Sequence, residues 1–285
     1  MKPDYPSAAI QKRLEEAQQY EQKGDNYHAI KIYKRIIQLA ADWHMPYARL
    51  SNIYKNCREW KACLHYSKKA VAIQVQDREC WWNMGIAATA LKKERLANRV
   101  WAKFGQDQIG QEEKVCVQLQ YGHHFEIIWA KPIDPARGFI ANIPHPASGR
   151  RYQDLILFDN EVIGFNVVKY KKIPVLKELG VLKHSFYQTF SCQLHTTEQA
   201  DLIIAAKMCK EAGLGFENWS NATLVQACSS QIALPEYYGN DFLALECNNF
   251  FQIAIAAPKR SEVEEVLRNW QLVTLKNVGD LNRYV

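Results

Sequence analysis

The chain has 285 residues and a mass of 32.9 kDa, more than one domain usually holds, so its length predicts two. Its 48% hydrophobic and 23% charged content exclude a disordered or fibrous chain, and no run of about 18 apolar residues offers a membrane-spanning helix. The net charge of +6 is uneven: residues 1–111 hold 19 Lys and Arg against 11 Asp and Glu, while residues 112–285 hold 17 against 19, which predicts two modules with only the first facing an acidic partner. Met1–Ser7 has no apolar stretch and is not expected to be a secretory signal. The eight cysteines, at 57, 63, 80, 116, 192, 209, 228 and 247, form no C-x-x-C pair. In a chain of this size that scatter predicts reduced thiols and a cytoplasmic location.

The N-terminal third repeats itself. With Ile10, His44 and Arg78 as first positions, the eighth positions are Ala17, Ser51 and Gly85, and the twentieth are Ala29, Cys63 and Ala97. Bulky residues recur at the fourth position as Tyr47 and Trp81 and at the twenty-fourth as Tyr33 and Trp101. Large side chains where helices meet, and small ones where backbones approach, predict helix-turn-helix units over 10–43, 44–77 and 78–111. On these residues the segment resembles the tetratricopeptide repeat family. Trp81, Met84, Gly85, Ala97 and Trp101 carry the resemblance best. Arg13 departs from the aromatic at position four, and Ala41, Val75 and Ile109 stand where the family has proline.

The resemblance implies an all-α solenoid of three repeats whose first helices line a concave groove. The groove positions that would bind a partner are Gln18 in the first copy, Arg49, Asn52, Lys55 and Asn56 in the second, and Trp82 and Asn83 in the third. Amides and cations there suit an acidic or extended peptide segment of another protein, since amides bond its backbone and cations meet its carboxylates. The carboxylate clamp of chaperone-binding members is not reproduced. Leu14, Gln18, Arg49, Glu79 and Asn83 occupy its places, and Glu79 would repel a C-terminal carboxylate.

Beyond residue 111 the pattern becomes α+β. Alternation predicts strands over 114–121, 125–130, 154–158 and 161–169, the last two joined by a tight hairpin at Asp159-Asn160. A strand over 186–194 is followed by a helix with a Thr196–Gln199 capping box and an apolar stripe of Ala200, Ile203, Ile204 and Met208, closed by Gly213. Strands near 242–247 and 250–257 precede a helix from Ser261 carrying Val263, Val266, Leu267 and Trp270, and a last strand covers 271–276. The order β-α-β-β-α-β predicts a ferredoxin-like last part, so the domains are 1–111 (tetratricopeptide repeats) and 112–285 (α+β).

Between the early strands lie two proline-stiffened segments, 129–137 and 142–152, which resemble a segment of bacterial tetratricopeptide repeat proteins with an α+β C-terminal domain of unassigned function. Lys131, Arg137, Arg150 and Arg151 on this frame are candidate anion ligands for a phosphate or carboxylate. No phosphate-binding glycine loop, dinucleotide fingerprint or H-E-x-x-H occurs. Cys192 and His195 would point to opposite faces of a strand. No catalytic residue, metal site or cofactor is implied. The expected function is a non-enzymatic adaptor that binds another protein. The alternatives are a ligand-binding or catalytic α+β domain recruited by the repeats, or a binding protein of the toxin-immunity type. Lysines spread over helix exteriors argue against nucleic acid as the partner.

Overall fold

The computed structural model describes residues 7–104, 114–168, 170–221, 227–228, 234–238 and 249–284. The chain divides into two compact units, 1–106 and 107–285. No described helix is long and apolar enough to cross a membrane.

The first unit is helical: α1 (Ala8–Gln22), α2 (Asn26–Leu39), α3 (His44–Asn56), α4 (Trp60–Ile73), α5 (Arg78–Ala90) and α6 (Glu94–Trp101), ending in a 3-10 turn over Ala102–Phe104. Each odd-numbered helix packs against the next, and α2 on α3 and α4 on α5 join the pairs, an arrangement compatible with tetratricopeptide repeats. The 34-residue period is present in the backbone itself. Gly24, Arg58 and Lys92, 34 residues apart, all take left-handed conformations with φ of 77°, 60° and 56°. Just after them, the amides of Asp25, Glu59 and Lys93 donate to the carbonyls of Tyr20, Tyr54 and Ala88. This is a helix stop in which a left-handed residue lets the chain satisfy otherwise orphaned carbonyls.

The joints between pairs repeat too. The Tyr47 hydroxyl donates to the Ala41 carbonyl at 3.0 Å, and the Trp81 indole N–H to the Val75 carbonyl at 2.7 Å. An aromatic at position four thus ties down the turn at the place where the proline is missing. Asp25 and Asp77 cap α2 and α5 by accepting from the amides of His28 and Cys80. Leu14, Ala17, Ala29, Tyr33, Ile36, Leu50 and Ile53 form the apolar core.

The second unit begins with β1 (Val115–Tyr121), β2 (His124–Asp134), β3 (Arg137–Ile140), β4 (Leu155–Val168) and β5 (Lys171–Lys183). Neighbours pair antiparallel from β1 to β5, and β5 returns to lie parallel to β1, closing a five-stranded ring. Val117, Leu119, Ile128, Ala130, Ile140, Ile156 and Phe158 fill one face of this sheet. The opposite face gathers Cys116 and Val175 with Phe125, Ile127 and Trp129, as strand alternation requires. Two short strands, β8 (Ala227–Cys228) and β9 (Glu236–Tyr238), extend the sheet beyond β4.

A second sheet follows from β6 (Gln188–His195), β7 (Gly215–Asn218), β10 (Phe251–Ala257), β11 (Asn277–Val278) and β12 (Asn282–Tyr284), with α7 (Gln199–Glu211) and α8 (Arg260–Thr274). Its order is β11-β6-β10-β7, with β12 also on β6, and every pairing is antiparallel. Both helices cover one face through Leu202, Ala205, Cys209, Val263, Val266, Leu267 and Trp270.

Several expectations change. No hairpin forms at Asp159-Asn160. Asp159 Oδ1 accepts from the Asn160 amide, but the strand runs on, with the extra residues absorbed as an irregularity between Phe158 and Val162. The reversal comes after Val168 instead. The α7 stripe is rotated: Leu202, Ala205 and Cys209 are buried, while Ile203 is 67% exposed. Thr196 forms no box with Gln199; its hydroxyl donates to buried Asp201 at 2.6 Å and accepts from the Glu198 amide. Residues 271–274 continue α8, which stops at Leu275 with φ of 57°, so the expected strand over 271–276 is absent. The expected strand at 242–247 lies outside the described residues.

Candidate functional site

On the helical unit, Gln18 of α1 and Arg49 and Asn52 of α3 are half-buried, and Asn56 is exposed. Arg49, Asn52 and Asn56 stand at i, i+3 and i+7 and so share one stripe of α3. Gln18 and Asn52 are 34 residues apart and occupy the same place in consecutive pairs. Behind them, the Tyr33 hydroxyl donates to Glu21 at 2.8 Å. Burial and that carboxylate raise the phenol's pKa, while the nearby Arg49 charge opposes the shift.

Lys55, Trp82 and Asn83 do not join that stripe, because each is buried. Helix α5 is enclosed continuously from Trp82 to Thr89. Trp82 meets Trp101 and Phe104 edge-on at centroid separations of 5.0 and 5.2 Å. Trp81 is the more exposed of the pair, with the Lys103 ammonium 4.4 Å from its ring centre. Asn83 belongs to an internal polar cluster. Ser67 donates to the Cys63 carbonyl at 2.7 Å, Ser51 and Ser67 hydroxyls lie 2.7 Å apart, and the Asn83 amide donates to Ser51 at 3.3 Å. With the Ser67 proton committed, Ser51 is the donor of the hydroxyl pair.

In the second unit, the four candidate anion ligands are placed as follows. Arg137 Nε donates to Asp134 at 2.6 Å. Arg150 makes a two-pronged pair with buried Glu178, at 2.7 and 3.0 Å. Arg151 gives its backbone amide to Asp154 and a long 3.5 Å contact to the Ser185 carbonyl, and Lys131 is exposed on β2. The Arg137 and Arg150 side chains are therefore already matched by carboxylates of the same unit.

The loop over 142–152 instead gathers two carboxyl groups on its backbone amides. Glu217 of β7 accepts from the Ile143 amide at 2.8 Å, and Glu126 of β2 accepts from the His145 amide at 3.1 and 3.2 Å. Burial pushes the Glu126 carboxyl up to about 7, and the Glu217 charge adds to the shift, against hydrogen bonds from His145 and Ser148. Glu217 is raised as well, again chiefly by burial, while the Ile143 bond and the Lys114 charge pull it back. The His145 ring stacks between Tyr121 and Trp219, with centroids 6.1 and 6.2 Å away. Its Nδ1 accepts from the Ala147 amide, which leaves the proton of the neutral ring on Nε2. Ile143, Tyr152, Tyr187 and Trp219 then close over Ala254 and Ala256, on the face of β10 away from the helices. Glu126 and Glu217 escaped the sequence reading. The available signal was that Glu126 has the inward parity of Ile128 and Ala130 on β2.

No family model matches the chain, and no curated protein matches it either. Among solved structures, the second tetratricopeptide domain of Spaghetti (RPAP3), bound to the HSP90 peptide SRMEEVD, is 16% identical over 33% of this chain and 81% of its own, with a TM-score of 0.31. A hypothetical protein from Neisseria gonorrhoeae is 11% identical over 61% of this chain and 94% of its own, with a TM-score of 0.29.

Proposed function

We propose that the protein is a non-enzymatic adaptor whose tetratricopeptide-like helices (residues 1–111) hold an acidic or extended segment of another protein. The observation that carries this reading is the stripe of Arg49, Asn52 and Asn56 on α3, with Gln18 at the matching place on α1. Amide side chains can bond a peptide backbone in register, and a guanidinium can receive a carboxylate. The α+β part (112–285) is read as ferredoxin-like from β6 onward. Its antiparallel order β11-β6-β10-β7, with α7 and α8 on one face, supports that reading. Cys57, Cys80, Cys192 and Cys209 are thiols, which suits a reducing cytoplasm. Partner capture by the wild-type chain and by the triple variant Gln18→Ala, Arg49→Ala, Asn52→Ala tests the assignment. An unchanged set of captured proteins would overturn it.

A second reading rests on Glu126, a carboxyl whose pKa is raised to about 7, near a second glutamate and bonded to the amide of His145, whose ring stacks on Tyr121 and Trp219. Such a group can give or take a proton at neutral pH, as a ligand-binding or catalytic domain recruited by the helices would need. Screening small basic compounds by thermal shift against wild type and Glu126→Gln tests it. If no compound stabilises wild type more than the variant, this reading fails.

A further inference from the structure

Among the described residues, one group of three side chains with metal-ligating atoms converges: His44, Asp77 and Cys80, whose ligand atoms all lie within 4.8 Å of one another. We propose that they bind one borderline-soft divalent ion of the zinc type at the joint between the second and third helix pairs. The placement follows from the repeat. His44 opens α3, and Asp77 and Cys80 sit at the cap and first turn of α5, so two helix starts 34 residues apart present their side chains to the same point.

The two oxygens of Asp77 have separate tasks. Oδ1 accepts from the Cys80 amide at 2.9 Å, which fixes the carboxylate plane, and Oδ2 faces His44 Nε2 at 2.5 Å. An amide that orients a ligating carboxylate is the usual outer support of a metal site. Tetrahedral ligation at 2.0–2.3 Å separates ligand atoms by roughly 3.3–3.7 Å. The ion would therefore enter between Oδ2, Nε2 and Sγ after a small rotation that parts the imidazole from the carboxylate. Imidazole, thiolate and carboxylate together favour zinc or cobalt over magnesium or calcium. The His44 and Asp77 side chains are each 14% exposed, which gives the ion a way in from solvent. On binding, the Cys80 S–H bond breaks, a sulfur–metal bond forms and the proton leaves to solvent. His44 Nε2, which gives its proton to the bond with Asp77 Oδ2 before the ion enters, loses that proton to solvent as Nδ1 takes one up, so the neutral ring ligates through a bare Nε2. The carboxylate and thiolate balance the two charges of the ion, and a fourth coordination position stays open to water.

The test is a cobalt(II) titration of the full chain in a chelator-free reducing buffer. The expected result is a near-ultraviolet thiolate-to-cobalt band with visible tetrahedral bands, saturating at one equivalent and bleached by zinc. Cys80→Ser should abolish the band, and His44→Gln and Asp77→Asn should each weaken binding at least tenfold. Cys57→Ser removes an exposed thiol and should leave the signal intact. If Cys80→Ser does not fold by far-ultraviolet circular dichroism, the other two variants decide. No thiolate band in wild type, a band that persists in folded Cys80→Ser, or wild-type affinity in both His44→Gln and Asp77→Asn would overturn the site.

Discussion

Gly85 of α5 lies directly beneath the Trp101 indole: a Cβ at residue 85 would stand 2.5 Å from Cη2 and 2.6 Å from Cζ3. Trp101 is buried, donates its N–H to Thr89 and is packed on Trp82, so it has nowhere to retreat. Gly85→Ala gains up to ~1 kcal/mol of helix propensity but overpacks the joint, which costs ~1–3 kcal/mol or more. The expected net result is a loss of about 1–2 kcal/mol in urea denaturation. A variant as stable as wild type would mean that α5 and α6 do not meet there.

Asn83 should matter to stability and not to partner capture. Its amide supplies the proton that Ser51 accepts inside the α3–α4–α5 contact. Asn83→Ala leaves Ser51 with one fewer partner, a loss of ~1–3 kcal/mol for a buried polar group. Denaturation midpoints combined with partner capture separate the two roles. Capture lost at full stability would put Asn83 on the binding face.

The Arg150–Glu178 pair ties the proline loop to β5. Removing one member strands a buried charge, at ~3–5 kcal/mol, whereas removing both is far milder. Arg150→Met is therefore expected to destabilise strongly, and Glu178→Leu added to it should restore part of the loss. A double variant no better than Arg150→Met would refute the coupling.

Glu126 sets a pH dependence of definite sign. Its folded pKa of about 7 lies above the ordinary 4.5, so the folded state holds the proton more tightly than the unfolded chain. The stabilisation it brings is full when the group is protonated, below about 4.5, and is lost as the pH rises through 7. Glu217 is shifted in the same direction and adds to the slope. Stability measured by denaturant at pH 5.5 and 7.5 should fall less steeply in Glu126→Gln than in wild type. Equal slopes would show that the carboxyl does not titrate there.

The helical pairs were legible because a 34-residue period in side-chain size is also a period in backbone geometry, down to the left-handed residues at 24, 58 and 92. The direction of Trp81 and Trp82 was not. Adjacent residues of a helix differ by about 100° in heading, and the repeat register placed Trp82 in a groove that α6 and Phe104 fill. Strand alternation found β1, β2 and β6. It missed the continuity of β4, because Asp159-Asn160 serves a strand irregularity as well as it serves a hairpin. At the proline loop, composition displayed the arginines, but their carboxylates arrive from elsewhere: Glu178 is 28 residues away from Arg150. Glu217 likewise reaches Ile143 across 74 residues. Such pairings leave no local trace.

The parallel seam between β1 and β5 has a consequence in time. Cys116 is opposite Val175, so β1 must wait for nearly sixty further residues before its second edge is covered. The helices before it need only their neighbours, and local contacts form early. During synthesis the helical unit should mature while β1 and β2 stand as an open ribbon with a bare flank, the kind of edge that recruits other chains. The five-stranded ring, and not the helical pairs, is where this protein is most exposed to misassembly.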